Sequence, residues 1–218
     1  MSPEEDRHSR ALEIELITDP VERARREARN GLRQFDEVVE QIAYWLQPGR
    51  PFRFRPSLIL SLHRRALEGI SSFAGVWRPA GIEIGGSRHV PPPAHLVPEL
   101  VEGMCDYVNK HWNSSAIHLC AYALWRMNWI HPFVDGNGRT ARAVSYLILC
   151  IRLGYRLPGT RTIPEQIAQN KTPYYTALER ADSHDKEKRL NLSEMEALLE
   201  SLLAAQLVSV LKDASSSR

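Results

Sequence analysis

The spacing of apolar residues along the chain is helical over most of its length. Apolar side chains recur at the three- to four-residue spacing that places them on one face of a helix. This pattern predicts helices over residues 18–46 (one or two helices), 58–69, 94–111, 116–130, 139–153, 163–170, 173–181 and 192–211. Residues 116–130 are apolar-rich and contain strong helix formers, so we expect that helix to be largely buried. The chain is therefore predicted to be mainly α.

Two shorter stretches interrupt the helical pattern. Ile82-Glu83-Ile84 alternates apolar and polar residues and precedes Gly85-Gly86, which predicts a short β-hairpin. Residues 183–189 are mostly charged, which predicts a linker before the terminal helix. The leucines of that helix follow a helical stripe, and we expect the stripe to pack on the rest of the chain. Pairing with a second copy, a homodimer, is the alternative.

The most informative stretch lies between two predicted helices, at residues 131–142. It contains His-Pro-Phe-Val-Asp-Gly-Asn-Gly-Arg-Thr-Ala-Arg. Pro132 disfavours the helical conformation at the preceding residue, so the first helix should end and leave His131 at the start of a loop. The Gly136-Asn137-Gly138 turn lets the backbone pass close to a ligand. The helix that resumes at Arg139 then presents its N–H groups and positive dipole end, which favours an anion.

The side chains around this turn suit the transfer of a phosphate-containing group. Arg139 and Arg142 are three positions apart on one face of the first helical turn, so both can address one polyphosphate. Asp135 can hold a Mg²⁺ that bridges phosphate oxygens, and His131 can accept the proton of an incoming hydroxyl. Each residue alone is also explained by a cap, a turn or a solvated cation. Their combination in one helix–loop–helix favours a nucleotide site.

These twelve residues resemble the signature of Fic-domain proteins, His-x-Phe-x-(Asp/Glu)-Gly-Asn-Gly-Arg-x-x-Arg, with every specified position matched. Other blocks are similar to the same family: Leu62-His63, Ala74–Arg78, Ile84–Ser87, His89–Pro93, Asn170 and Tyr174–Leu178. The resemblance covers roughly residues 25–185. It implies a Fic-type helical domain with a short β-hairpin flap, between an N-terminal extension (1–24) and a C-terminal amphipathic helix and tail (186–218).

The resemblance also implies an activity, protein adenylylation (AMPylation). AMP would pass from ATP to a Ser, Thr or Tyr hydroxyl of a target protein, with release of pyrophosphate. The implied roles are His131 as catalytic base, Asp135 as the Mg²⁺ ligand, and Gly136, Asn137, Gly138, Arg139 and Arg142 as phosphate-binding residues, with Arg142 on the γ-phosphate. Phe133 would anchor the loop in the core.

Three alternatives to AMP transfer are a phosphotransferase, a non-catalytic nucleotide-binding module and a DNA-binding regulator. Relatives of the Doc type, which phosphorylate, carry lysine in place of the second glycine of the turn, which here is Gly138. AMP transfer is therefore favoured over a Doc-like phosphotransferase. A non-catalytic nucleotide-binding module of the same fold is disfavoured because His131 is intact. No segment after residue 185 is typical of a winged-helix DNA-binding module, so we expect no nucleic-acid partner.

Binding roles are also expected for the flap and for the residues downstream of the signature. In the family the flap holds the modified segment of a target protein by strand pairing, which implies docking on Ile82, Glu83 and Ile84. An exposed strand edge offers backbone groups to an extended peptide, although a surface hairpin without a partner is the alternative. Nucleotide contacts are predicted for Asn170, Tyr174 and Tyr175. Helix capping by Asn170 and core packing of the tyrosines remain alternatives.

An inhibitory element is only partly matched. Many Fic proteins carry a helix with Ser/Thr-x-x-x-Glu-Gly/Asn, whose glutamate pairs with the second arginine of the signature. The nearest match is Thr18-x-x-x-Glu22, but Arg23 follows where glycine or asparagine is expected. Glu22 is thus the candidate inhibitory residue, and a separate antitoxin-like inhibitor protein is the alternative.

The composition of the chain limits its size class, its binding partners and its compartment. A chain of 218 residues with 43% hydrophobic content can build one good-sized core. The net charge of +2 gives no general attraction to nucleic acid or acidic membranes. The cysteines, Cys105, Cys120 and Cys150, lack metal-ligand spacing and are predicted to be buried thiols in a reducing compartment. Without an apolar signal region or a membrane-length run, we expect a cytoplasmic protein with no membrane partner.

Overall fold

Helices dominate the part of the chain that the computed structural model describes, which is residues 9–10, 16–187 and 189–216. Within it lie α1 (Pro20–Trp45), α2 (Pro56–Leu67), α3 (Val97–Lys110), α4 (Ala116–Ile130), α5 (Asn137–Leu153), α6 (Ile163–Gln169), α7 (Thr172–Lys186) and α8 (Ser193–Ser216). Two short strands, β1 (Ser9–Arg10) and β2 (Glu83–Ile84), complete the regular structure, and a 3-10 turn, Ala94–Leu96, precedes α3. The predicted mainly α architecture is confirmed.

The centre of the core is the pair α4 and α5, which pack closely on each other. α4 matches the predicted helix 116–130 and buries residues all around its surface, including Leu119, Leu124 and Met127. The helices α1 and α2 cover α5, whereas α3, α7 and α8 cover α4. The loop that joins α4 to α5 therefore lies between the two innermost helices, with packed neighbours on both sides.

The C-terminal helix belongs to this core. In α8, Met195 and Leu199 are buried, and buried Gln206 accepts a hydrogen bond from the Ile163 N–H and donates to the Pro158 carbonyl. Intramolecular packing of the leucine stripe is thus confirmed. The predicted boundaries at 24/25 and 185/186 fall inside α1 and α7, and the division into units stays a prediction.

The predicted linker at residues 183–189 is wrong in its first half, because α7 continues to Lys186. Ala181 is buried on the core side of the helix. His184 and Lys186 lie in the last turn, where positive charge is favourable for the helix dipole. The polar residues of this stretch therefore form the exposed side of a helix end.

The predicted local hairpin is also wrong. A turn follows the strand, with the Ser87 N–H bonded to the Ile84 carbonyl and a positive φ at Gly86. The chain then runs into Pro91–Pro93, which lack the N–H donors that a returning strand needs. β2 pairs instead with β1, antiparallel, with Ser9 opposite Ile84 and Arg10 opposite Glu83.

Two further predictions concerned the cysteines and membrane-spanning helices. Cys105, Cys120 and Cys150 are buried free thiols, as predicted. Burial raises the pKa of Cys105 and Cys120 to about 12, so both thiols stay protonated and unreactive. No helix in the described ranges combines the length and the apolar character that crossing a bilayer requires.

Candidate active site

The loop between α4 and α5 begins with an unusual backbone conformation at His131. Its N–H still bonds to the Met127 carbonyl at 3.0 Å, but its φ of 49° and ψ of 60° are left-handed. Of the residues described, it is the only non-glycine with a positive φ. A left-handed residue costs on the order of 1 kcal/mol and persists only where its surroundings impose it. The predicted helix end at His131 is confirmed.

Burial controls the chemistry of the His131 side chain. Its relative exposure is 7%, and burial lowers its pKa to about 3. Nδ1 lies 3.4 Å from the Asn128 carbonyl, which can only accept a hydrogen bond, so Nδ1 carries the ring proton in this contact. Nε2 is then the nitrogen with a lone pair. At neutral pH the imidazole is uncharged, which is the form that a general base requires.

Arg78 imposes the backbone path at this end of the loop. The side chain is 2% exposed, and burial lowers its pKa. Its Nε donates to the His131 carbonyl at 2.8 Å, and Nη2 reaches the Ile130 carbonyl at 3.4 Å. The same guanidinium donates to the carbonyls of Ala80 (2.9 Å) and Pro92. Arg78 therefore connects the end of α4 to both sides of the flap, which its sequence position alone did not indicate.

The middle of the loop is closed by Phe133 and Asn137. Phe133 is fully buried, as predicted for an anchor. The Asn137 Oδ1 accepts from the Phe133 N–H at 2.9 Å, and its Nδ2 donates to the Phe133 carbonyl at 2.8 Å. The predicted phosphate contact of Asn137 stays a prediction. What the side chain visibly does is to hold the loop in a ring of two hydrogen bonds.

The glycines of the turn have different roles. Gly136 has a φ of 75°, and a Cβ there would lie 2.8 Å from a methyl carbon of buried Leu67. α5 begins directly after it, two residues earlier than predicted, with the Thr140 N–H bonded to the Gly136 carbonyl. Gly138 lies in the first turn of α5 and lines a cavity together with His131 and Arg142. The amides of a first turn have no partner within their own helix, so this end of α5 suits an anion.

A cluster of charges surrounds Asp135 at the rim of the loop. Its Oδ1 accepts from the Gly136 N–H at 2.5 Å, and its Oδ2 lies 3.4 Å from Nη2 of both Arg23 and Arg139. Glu27 Oε1 faces the same two arginines at 3.3 and 3.8 Å. The four side chains are about one-third exposed, so solvent weakens these ion pairs. The predicted metal ligand Asp135 and the predicted phosphate-binding residue Arg139 thus lie together.

The donor set fits Mg²⁺ only in company with a phosphate. The described residues contain no group of three or more acidic, histidine or cysteine side chains arranged to hold a metal. Asp135 offers one partly exposed carboxylate beside the N-terminus of α5. Mg²⁺ commonly takes one or two carboxylates and fills its shell with substrate phosphates and water. The site therefore fits a nucleotide-bound Mg²⁺.

The predicted inhibitory residue lies at the beginning of α1. The Glu22 N–H bonds to the side chain of Asp19, which caps the helix. The carboxylate of α1 that reaches the first arginine of the signature is Glu27, whose side chain contacts Arg139. Spacing alone selected Glu22 because Thr18 precedes it, whereas the helix direction brings a later turn toward the loop. A regulatory role of Glu22 stays a prediction.

A cavity extends from the loop toward α7. Its lining residues are Ile84, Ser87, His89, Asn128, Trp129, His131, Gly138, Arg142, Tyr174, Tyr175, Leu178 and Asp182. Both predicted tyrosines line it, although Tyr174 is only 2% exposed and is mostly a core residue. Asn170 is not among the lining residues and forms the exposed end of α6, where its N–H bonds to the Gln166 carbonyl. Asn170 is therefore the C-cap of α6 and does not cap the following helix, whose N-cap is Lys171, and its nucleotide contact stays a prediction.

Sequence reasoning missed the contacts that His89 and Asp182 make in the lining of this cavity. His89 Nε2 lies 2.7 Å from the Trp129 carbonyl, and its Nδ1 lies 3.7 Å from Asp182 Oδ2. Asp182 also accepts from the Trp125 indole N–H at 2.9 Å. These contacts attach the flap to α4 and α7 beside the cavity. Only the position of His89 beside the prolines hinted at a role.

The three predicted flap residues face different surroundings. Ile82 is buried, with 8% exposure, so its side chain supports the flap from inside. Glu83 is exposed, and Ile84 is half-buried and lines the cavity. On the backbone side, β2 is paired with the chain's own β1. Docking of a target segment on these residues stays a prediction, and Ile82 would contribute to it only through its backbone.

Comparison with known proteins agrees with this geometry. The model of the Fic/DOC family matches residues 53–149, which include α2, the flap, α3, α4 and most of α5. The proteins named Protein adenylyltransferase Fic from Drosophila willistoni and Drosophila persimilis are each 35% identical over 130 residues, covering 58% of this chain. The chain spans only 24% of their length.

Solved structures show the same fold. A fragment of Fic-1 from C. elegans superposes with a TM-score of 0.69 at 22% identity, over 93% of this chain and 55% of that one. A Fic family protein from Desulfovibrio desulfuricans gives a TM-score of 0.66 at 23% identity, over 90% of this chain and 56% of that one. With the signature residues gathered at one loop, residues 53–149 match the Fic/DOC family, and the chain has the fold of Fic proteins.

Proposed function

We propose that this protein is a protein adenylyltransferase, which transfers AMP from ATP to a hydroxyl group of a target protein. The observation that supports the proposal most is the arrangement of His131, Gly138 and Arg142 around one cavity. A base, a helix N-terminus and a cation thus face a common space. The curated relatives carry the same activity in their names, over the 130 residues that this chain shares with them.

In this proposal His131 acts as the general base. The Nε2 atom accepts the proton of the target hydroxyl as its oxygen attacks the α-phosphorus of ATP. A new bond forms between that oxygen and phosphorus, the bond from the α-phosphorus to the bridging oxygen breaks, and pyrophosphate leaves. The contact from Nδ1 to the Asn128 carbonyl holds the tautomer that this step requires.

The first turn of α5 binds the phosphates. Its amides, at and after Gly138, face the negative charge that develops on the α-phosphate, and Arg139 and Arg142 add positive charge. Gly138 leaves room for the phosphate, where a side chain would narrow the cavity. Asp135 would hold Mg²⁺, which when bound neutralises phosphate charge and orients the leaving group.

The acceptor is proposed to be a protein segment in extended conformation. β2 borders the cavity through Ile84, so an acceptor strand paired with the edge of β2 that β1 does not occupy would lie close to the reacting atoms. Main-chain pairing tolerates many side chains, which suits the modification of a hydroxyl in varied sequences. The nucleotide base is proposed to lie against Tyr175 and Leu178, deeper in the same cavity.

The position of a label on ATP tests the proposal. The purified protein is incubated with a cell lysate, Mg²⁺ and ATP labelled at either the α- or the γ-phosphate. We expect the purified protein to add protein-bound label from the α-position only, above the label that the lysate acquires without it. Label from the γ-position alone would establish a phosphotransferase instead.

Two histidine variants assign the activity to the site. His131→Ala should reduce α-label transfer by about 10²- to 10⁴-fold, the usual effect of losing a general base. His95→Ala is the matched control, because His95 is exposed and lies outside the cavity lining. Equal loss in both variants would separate the activity from the proposed base.

A further inference from the structure

The 131–142 loop rests directly on α2, through a histidine that lies outside the signature. His63 is 1% exposed and stacks on Phe133 with a centroid distance of 3.6 Å and an interplanar angle of 6°. A Cβ on Gly136 would lie 3.4 Å from the His63 ring. The ring therefore fills the space beneath the turn that carries Asp135.

Both ring nitrogens of His63 have defined partners. The Gly75 N–H donates to Nδ1 at 2.9 Å, so Nδ1 must carry a lone pair. Nε2 therefore carries the proton and donates to the main-chain carbonyl of Asp135, also at 2.9 Å. One buried ring thus connects the Asp135 backbone to the segment just before the flap. Glycine suits position 75 for two reasons. Its φ of 78° is left-handed, and a Cβ there would lie 2.8 Å from the Arg64 side chain.

We infer that His63 is a positioning residue for the cation site, which orients the Asp135 carboxylate through the Asp135 backbone. The carboxylate and the carbonyl that His63 holds belong to the same residue. Asp135 Oδ1 is also bonded to the next N–H, that of Gly136, so a rotation of this peptide would move the carboxylate with it. Loss of the Nε2 donor frees that rotation. The inference depends on the proposed function only in requiring a divalent cation at Asp135.

Two substitutions of similar size separate the two hydrogen bonds. In His63→Gln the amide nitrogen can reach the position of Nε2, so the bond to Asp135 is kept. In His63→Asn the amide reaches only the position of Nδ1, so the bond from Gly75 is kept and the bond to Asp135 is lost. Both variants lose the stacking on Phe133. Ile59→Ala, one turn earlier in α2 and fully buried, is the control for general destabilisation.

The readout is cation binding without turnover. Mn²⁺, which shares the preference of Mg²⁺ for carboxylate and phosphate oxygens, is titrated in the presence of ADP and followed by electron paramagnetic resonance. We expect His63→Asn to weaken Mn²⁺ binding about 10-fold or more, the usual effect of losing a group that orients a metal ligand. His63→Gln should remain within about 3-fold of the unmodified protein, and Ile59→Ala should bind as the unmodified protein does.

Each outcome decides the inference. Equal weakening in the Gln and Asn variants, wild-type binding by His63→Asn, or an equal effect of Ile59→Ala would overturn it. Absence of Mn²⁺ binding by the unmodified protein with ADP would overturn it as well. The proposed function fails separately, if the unmodified protein binds Mn²⁺ and ADP but transfers no AMP to protein. If His63→Asn does not fold, a Gln variant that folds but binds Mn²⁺ 10-fold more weakly still overturns the inference.

Discussion

The loop at residues 131–142 and the flap at residues 82–93 enclose the same cavity but are built in different ways. The middle of the loop is held by contacts between residues close in sequence, such as the two hydrogen bonds between Asn137 and Phe133, and Arg78 and His63 support the loop from elsewhere in the chain. The flap strand has its partner in β1, far away in the chain, and its return path is held by His89 against Trp129. The loop thus combines local with remote contacts, whereas the flap depends mainly on remote ones. We therefore predict that the loop, the proposed catalytic half, is more rigid than the flap, the proposed acceptor half.

Arg78 is where the two halves meet, and its removal should have the largest effect. In Arg78→Met the carbonyls of His131, Ala80 and Pro92 lose a common donor in a buried setting. We expect a loss of about 3–5 kcal/mol in the free energy of unfolding, as for other buried charges whose partners are left unsatisfied. Urea unfolding measures it.

The matched control for Arg78 is an exposed arginine, Arg180→Met on α7, which should change stability by less than about 0.5 kcal/mol. If Arg78→Met unfolds like the control variant, the loop and the flap are held independently. Arg78 would then not be the residue that couples the loop to the flap.

The turn of the loop should tolerate substitution at one glycine and not at the other. Gly136→Ala forces a Cβ into the left-handed region and against Leu67, and we expect a loss of about 1–3 kcal/mol in stability. Gly138 has no positive φ, and a Cβ there would meet only the Arg142 guanidinium at 3.3 Å. Gly138→Ala should therefore fold normally but bind ATP more weakly.

Thermal unfolding and an ATP-binding titration on both variants check this prediction. A Gly138→Ala protein that is destabilised as much as Gly136→Ala would show that the whole turn, rather than Gly136 alone, is a structural element. Unchanged ATP binding in Gly138→Ala would remove this glycine from the phosphate site.

The loop and the flap also differ in how much of their structure the sequence predicts. The end of α4 at Ile130 and the resumption of the helix followed from proline, glycine and apolar signals within a few residues, whereas the burial of Phe133 followed from the resemblance to the family. The contacts of Arg78 and His63 with the loop join residues that are far apart in sequence, and spacing carries no information about such contacts. The strand partner of β2 was missed for the same reason.

Polar residues were a second source of difficulty for prediction from the sequence. The charged residues after Ala181 predicted a linker, although one buried face was enough to continue α7. Asn170 and Glu22 were selected by the resemblance to the family; both lie at helix ends, and their functional roles stay predictions. Residue type shows what a side chain can do, whereas its neighbours determine which of those things it does.

Acid should destabilise the protein through the histidines of the loop half. Burial lowers the pKa of His131 to about 3 and that of His63 to about 4, from 6.5 in the unfolded chain. Between pH 6.5 and these values the unfolded chain binds more protons, so stability falls as the pH falls. Each histidine should contribute about 1.4 kcal/mol per pH unit in the lower part of this window.

Urea unfolding between pH 7 and pH 5 gives this dependence, above the range in which most carboxylates titrate. His63→Gln should reduce the slope by one histidine contribution. His95→Ala, which changes an exposed histidine, should leave the slope unaltered. An unchanged slope in His63→Gln would mean that this ring is readily protonated in the folded protein, contrary to its burial and its bond from Gly75.

The flap side chains should have the smallest effect on stability and the most selective effect on the acceptor. Ile84 is half-buried beside the cavity, so Ile84→Ser should lower stability by no more than about 1 kcal/mol. We expect transfer of AMP to lysate proteins to fall several-fold more than the affinity for ATP, because the segment that pairs with β2 loses its support. Ile82→Val is the control, since this residue is buried and a lost methyl group there should cost about 0.5–1.5 kcal/mol without selectivity. An equal loss of ATP affinity and AMP transfer in Ile84→Ser would make the flap a wall of the nucleotide cavity only, and the acceptor half would no longer be distinct from the catalytic half.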